Sequence, residues 1–314
     1  MQKGLFSDAT PFTQLIVLGF TMVTCFLLLM ILGVLFAPLI PGIQITDFLQ
    51  DVNNSEMEKN LNLIRYYQII LGIGLFIIPA LFSAYLFSGT VASYFGLERT
   101  SSVKWFVLAL LLMLAAIPCI NLMAALNEMI SFPSILSGLE QRLKDFEEAA
   151  QKSTKLFLNV DGIGGMFFNI FMIAFLPAIG EELIFRGLLH KIIVQWTGNI
   201  HVTIIICGFL FSLMHLQFYG FFPRWLLGVM FGYLLVWSGT IWLPIFAHFV
   251  NNTMAVVFSF LIHKGIVPEK VENLGTSFNE IPVTIVITAV AVWLLWKIYA
   301  SSLQGTKQAN IADY

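Results

Sequence analysis

The sequence predicts an all-α, polytopic membrane protein with about eight transmembrane helices, and three observations carry that expectation. Of 314 residues, 58% are hydrophobic and only 11% charged, with a mean hydropathy of +0.87, far from the balance of a soluble domain. The apolar residues are gathered into runs of span length, since a helix needs ~20 residues to cross ~30 Å of hydrocarbon. No strand-like alternation is present, and a bilayer offers no partner to free backbone groups, so helices are the available spanning element.

The runs fall near residues 12–38, 63–88, 103–127, 162–195, 200–217, 220–238, 241–262 and 280–300. The first is longer than a signal-peptide core and no small-residue cleavage site follows it, so it reads as a retained helix. Cys25, Cys119 and Cys207 all lie inside apolar runs, where a thiol behaves as a small hydrophobe, and no disulfide framework or zinc-finger spacing is present.

Three polar connections separate the runs: Pro41 to Asn62, with Asp47, Asp51, Glu56 and Glu58; Ile130 to Asp161; and His263 to Glu280. An even span number puts all three on one side. Lys3, Arg99, Lys104, Lys191, Lys297 and Lys307 gather in short segments on the other, which marks that side, and both termini, as cytoplasmic. The membrane is the plasma membrane if the organism is bacterial. In the second connection Leu136, Leu139, Leu143, Phe146 and Ala150 recur at three and four residues among charged neighbours. That pattern predicts an amphipathic helix near 135–153, lying on the interface or over the bundle, or gating substrate. Sixteen basic and 18 acidic residues leave a net charge of −2, with no basic surface for nucleic acid. The bilayer and molecules associated with it are the expected partners.

An ionisable side chain at the centre of a span costs ~2.5–3.5 kcal/mol on insertion scales, so those that persist call for a reason. Glu181, Glu182 and Arg186 interrupt a run otherwise apolar from Met166 to Leu189; His215 ends the next run; His248, Asn251 and Asn252 lie in a third. Nothing comparable occurs in the first three runs. Residues four apart share a helix face, which pairs Glu182 with Arg186, sets Phe211 over His215 and His248 over Asn252, and leaves Glu181 without such a partner. His190, His201 and His263, near helix ends, read as hydrogen-bonded packing residues. Glu181 and His215 each lie 17 residues from Gly198, so an antiparallel hairpin brings them level, and His248 lies nine residues beyond the Gly239 turn. Glu181, His215 and His248 should thus share a depth of ~13 Å below one face of the bilayer.

Two readings fit. An ion-pair cluster that fixes helix register accounts for Glu182 with Arg186, but leaves the second carboxylate and two imidazoles unexplained. A hydrolytic site accounts for the surplus. A carboxylate near a neutral imidazole orients and deprotonates water, while a second imidazole with an amide stabilises an oxyanion. The four side chains should then converge on one water-accessible cavity, with Glu181 and His215 in direct or one-water contact.

Taken together, Glu181-Glu182-x-x-x-Arg186, Phe211-x-x-x-His215 and His248-x-x-x-Asn252 resemble the three motifs of the CAAX-protease and bacteriocin-processing intramembrane endopeptidases, a group related to prenyl-protein C-terminal endopeptidases. The resemblance covers roughly residues 162–262 with no departure at the motif positions, and Gly198, Pro223-Arg224 and Gly228-x-x-x-Gly232 also look like family sequence. It implies an endopeptidase that cleaves a membrane-associated protein or peptide. Glu181 and His215 would activate water, His248 and Asn252 would form the oxyanion hole, and Glu182, Arg186 and Phe211 would support them. The chain then divides into an N-terminal transmembrane region (1–160, three helices plus the amphipathic one), a protease core (161–262), and a last loop, helix and tail (263–314). The first 160 residues carry no recognised motif.

No cofactor is favoured. The family's older label is metalloprotease, and a zinc-dependent version holding the ion on Glu181, His215 and His248 is the alternative, although no His-Glu-x-x-His is present. A proton-relaying transporter is a different class; transporters show paired halves, whereas here every polar residue of interest lies in the second half. A non-catalytic membrane partner with relic motifs is the third class.

Overall fold

The computed structural model describes residues 3–40, 43 and 61–305; Asp47, Asp51, Glu56 and Glu58 of the first polar connection, and Lys307, lie outside the described residues. The protein is an all-α polytopic membrane protein. Its helices are α1 (Pro11–Leu39), α2 (Leu61–Ser88), α3 (Val91–Phe95), α4 (Val103–Glu128), α5 (Ser137–Leu158), α6 (Ile163–Thr197), α7 (Ile200–Met214), α8 (Phe218–Ser238), α9 (Trp242–His263) and α10 (Phe278–Leu303). Seven of them, all but α3, α5 and α7, are long and apolar enough to cross a membrane.

The expected helix over 200–217 is the exception. α7 has 15 residues, or ~22 Å at ~1.5 Å per residue, short of the ~30 Å hydrocarbon layer. It ends because Leu216 adopts φ +54°, a left-handed conformation that an L-residue with a bulky side chain avoids and that cannot continue a helix. His215 is therefore the residue that closes the last turn of α7, and the chain turns at once into α8.

The amphipathic helix, α5, runs to Leu158 rather than 153. Its end is held because Phe157 is buried and its carbonyl accepts from Asn169 Nδ2 at 2.6 Å. Leu136, Leu139 and Phe146 stay exposed, as for a helix lying at a membrane interface. On its polar side Glu147 Oε1 accepts from Gln217 Nε2 at 3.3 Å, next to the α7–α8 turn. Beyond the helix, Asp161 accepts from His263 Nε2 at 3.1 Å and lies 3.6 Å from Lys264 Nζ. The His263 hydrogen bond and the Lys264 charge hold its carboxyl below the usual carboxylate range.

α6 owes its shape to Pro177. Proline has no N–H for the carbonyl four residues back, Ile173, and its ring crowds that carbonyl. The helix widens into a π segment at Ile170–Phe175, returns to α geometry over Leu176–Glu182, and widens again at Leu183–Leu189. α2 does the same before Pro79, with a π segment at Ile73–Ile77. The two meet at Gly180, where a Cβ would lie 2.7 Å from Phe76 Cβ, so the residue before Glu181 has to be glycine. Leu183, Ile184, Leu188 and Ile192 are buried around this contact, while α4, α8, α9 and α10 share a second apolar core.

α7 and α8 approach through glycines. A Cβ on Gly228 would lie 2.8 Å from Gly208 Cα, and one on Gly232 would lie 2.9 Å from Ile204. Small residues in this spacing let two backbones touch. Gly208→Val should therefore cost about 1–3 kcal/mol through overpacking, seen as a lower thermal midpoint in detergent. Gly19→Ala, in the exposed α1 position with nothing within 4 Å, should leave that midpoint unchanged or raise it.

Candidate active site

The α stretch Leu176–Glu182 carries two adjacent carboxylates into apolar surroundings, and they are treated differently. Glu182, fully buried, accepts on one oxygen, Oε1, from Arg186 Nη1 at 2.8 Å and from His248 Nδ1 at 2.9 Å. Arg186 also donates through Nη2 to the Gly228 carbonyl at 2.7 Å, an acceptor exposed by the missing side chain of the α7–α8 contact. Its guanidinium lies 4.8 Å from the Phe211 ring centre and 5.4 Å from that of Phe231. Glu181 is 8% exposed, and its Oε2 has no hydrogen-bond partner. The nearest basic nitrogen to that oxygen is His248 Nε2, at 3.9 Å.

His248, 4% exposed, is fixed on both faces. Its ring stacks on Phe231 at 5.1 Å and 18°, and Phe211 meets it edge-on at 5.7 Å. A carboxylate can only accept, so the ring carries a proton on Nδ1, and Nε2 is the nitrogen turned toward Glu181. His215, half-buried, has Nδ1 2.9 Å from the Phe211 carbonyl; that oxygen also only accepts, which frees Nε2 of the neutral ring to accept from water. Phe211 touches both imidazoles, meeting His215 at 5.2 Å, and stands as a spacer between them.

Asn252 lies one turn beyond His248. Its Nδ2 donates to the Ile173 carbonyl at 3.2 Å, the group Pro177 leaves without an N–H, and its Oδ1 accepts from Asn251 Nδ2 at 3.1 Å. One amide N–H remains uncommitted.

The structure brings Glu181, Glu182, Arg186, Phe211 and His248 into one contact set, with His215 and Asn252 on its edge. Glu181 and His215 make no direct hydrogen bond; Glu181 is the first of the charges acting on the His215 ring, followed by Arg224 and His248, and Phe211 stands between the two imidazoles. None of the described cavities is lined by all four side chains. The largest described cavity, about 910 Å³ between α4, α9 and the α9–α10 loop, has Asn251, Met254 and Phe258 in its wall and stops one residue short of Asn252.

Among the described residues no three His, Cys, Asp or Glu side chains stand together as metal ligands do; the bond from His248 Nδ1 to Glu182 leaves Nε2 as the nitrogen a metal would take. Three partners had no sequence signal: the Glu182–His248 bond, the Phe231 ring under His248, and the Gly228 carbonyl. Only the last could have been sought, at a glycine already marked by its spacing. His201 bonds the Tyr233 hydroxyl at 2.9 Å and His263 bonds Asp161, as packing residues do.

Residues 163–254 match the family described as Type II CAAX prenyl endopeptidase Rce1-like. The match covers 92 of the 314 residues and shows what this segment is similar to. It contains all the residues of the contact set. The chain is also 37% identical over 86 residues to the sporulation-killing factor biosynthesis protein of Bacillus subtilis (strain 168), a match that covers 25% of this chain and 17% of that protein. No solved structure matches.

Glu182 as the shared acceptor makes a prediction about Arg186. Arg186→Met strands a buried carboxylate and should cost about 3–5 kcal/mol. Adding Glu182→Gln to it should recover part of the loss, because the stranded charge is gone. Thermal unfolding of the two single variants and the double variant measures the coupling.

Proposed function

We propose that this protein is an intramembrane endopeptidase, hydrolysing a peptide bond in a membrane-associated protein or peptide by direct attack of water. The observation that carries the reading is Glu181, a buried carboxylate with an unpartnered oxygen beside an imidazole whose orientation is fixed by a second carboxylate. The family match of the segment supports it.

In this mechanism Glu181 takes a proton from water, which His215 Nε2 orients, and the resulting hydroxide adds to the scissile carbonyl carbon. Negative charge develops on the carbonyl oxygen. His248 and the free N–H of Asn252, four residues apart on one helix face, donate to it. Because the Nδ1 proton is donated to Glu182, His248 donates through Nε2 only when its ring is doubly protonated. The C–N bond then breaks, and the proton on Glu181 passes to the leaving amine. Glu182 and Arg186 are positioning residues: one orients His248, the other balances Glu182.

The cavity of about 910 Å³ beside Asn251 has the size and apolar lining of a site for an extended substrate segment. Its neighbour α5, tied to Gln217 through Glu147, covers the side from which His215 is reached. The side bearing Lys191 and Lys104 is assigned to the cytoplasm.

Glu181→Gln should lower cleavage by about 10²–10⁴-fold without lowering the thermal midpoint. A comparison of membrane-protein termini in cells carrying wild type and Glu181→Ala would identify the substrate; identical termini would sink the protease reading. Turnover should also persist in a strong chelator. One tightly bound zinc per chain, whose removal stops cleavage and whose return restores it, would replace the metal-free mechanism with the zinc one.

A further inference from the structure

About two turns along α6 from the carboxylates, around His190, lies a second polar cluster of which peptide hydrolysis uses only Arg186. Glu182, Arg186 and His190 follow at four-residue spacing and share a helix face. His190 was expected to be hydrogen-bonded; instead it is 2% exposed and neither ring nitrogen has a hydrogen-bond partner, nor has Arg186 Nε. Both residues line a cavity of about 50 Å³ whose wall also holds Lys191 and, from the loop before α4, the exposed Arg99.

The charges here are one-sided. Lys191 donates to the Tyr94 carbonyl and lies 4.4 Å from the Tyr94 ring centre. The charge acting on it is that of Arg99, and those acting on His190 are Arg186 and Lys191; no carboxylate is among them. Arg186 is balanced by Glu182. Among the described residues Arg99 and Lys191 form no ion pair, and a buried imidazole with two unpartnered nitrogens costs free energy unless something bonds to it.

We propose that this cavity binds one phosphate group, supplied by an anionic lipid headgroup or free in solution. The volume admits a single such group. A guanidinium, an ammonium and an imidazole N–H reach it from different directions, and a tetrahedral oxyanion can offer each a separate oxygen, where a carboxylate has two. Arg99 stands in the loop preceding Lys104 at the end of the spans, the level at which headgroup phosphates lie. The proposal is independent of the peptidase reading, because no catalytic step passes through Arg99, His190 or Lys191.

The test uses the full chain in nonionic detergent and in bilayer discs. Inorganic phosphate should raise the thermal midpoint saturably against chloride of equal ionic strength. Arg99→Gln and Lys191→Gln should each weaken the apparent affinity by about tenfold or more, and Lys104→Gln, outside the cavity, should not. In discs of phosphatidylcholine with phosphatidylglycerol, native mass spectrometry should find phosphatidylglycerol retained by wild type and lost from Arg99→Gln. Saturable binding of phosphate alone identifies the free anion as the source, and retention of the anionic lipid alone identifies the headgroup. No saturable effect of either probe, or an equal effect in wild type, Arg99→Gln and Lys191→Gln, overturns the proposal.

Discussion

The centre of this protein depends on one oxygen. Glu182 Oε1 accepts from a guanidinium and an imidazole at once, in surroundings where an unpaired carboxylate would not stay ionised. Remove the arginine and Glu182 keeps only the His248 N–H, too little for a carboxylate in apolar surroundings. Remove the carboxylate and Arg186 keeps only the Gly228 carbonyl and its aromatic neighbours. Glu182 holds both of its partners through one oxygen, so side chains that do no chemistry set the geometry of those that could.

Backbone irregularities give this triad its room. Pro177 forces the π widening that precedes the carboxylates and denies the Ile173 carbonyl an N–H, the oxygen to which Asn252 then donates. Gly180 lets α6 meet α2, and Gly208 with Gly228 lets α7 meet α8 closely enough for a main-chain carbonyl to reach Arg186. π segments recur at functional sites because one extra residue per turn shifts side chains out of the regular helical register. In α6 the shift occurs on both sides of Glu181 and Glu182, leaving one short α stretch between.

The spans were legible because hydropathy has to follow the bilayer, and the Glu182–Arg186 pair was legible because helical spacing is local. Glu181 stood out for the same reason, as the carboxylate without a partner four residues on. Contacts between helices were less legible. Counting from Gly198 gives depth but not rotation, and the π segment Leu183–Leu189 turns α6 out of regular register, so the 3.9 Å approach of Glu181 to His248 could not be counted. The bond from His248 to Glu182 depends on helix rotation, which periodicity does not set. The His190 cluster was hidden for a different reason: a histidine at a helix end is ordinary, and only its burial without a partner singles it out.

Arg186 joins the two clusters on α6. Its Nη1 and Nη2 serve the carboxylate and the Gly228 carbonyl, its Nε has no hydrogen-bond partner, and the residue lines the cavity of His190 and Lys191. A guanidinium is planar and rigid, so a pull on Nε moves the other two nitrogens with it. An anion in the small cavity would compete electrostatically with Glu182 for the same cation, and less of the arginine's charge would then fall on Glu182. Coupling of this kind needs no moving domain, since the two clusters lie about two helical turns apart and share a charged group in low dielectric.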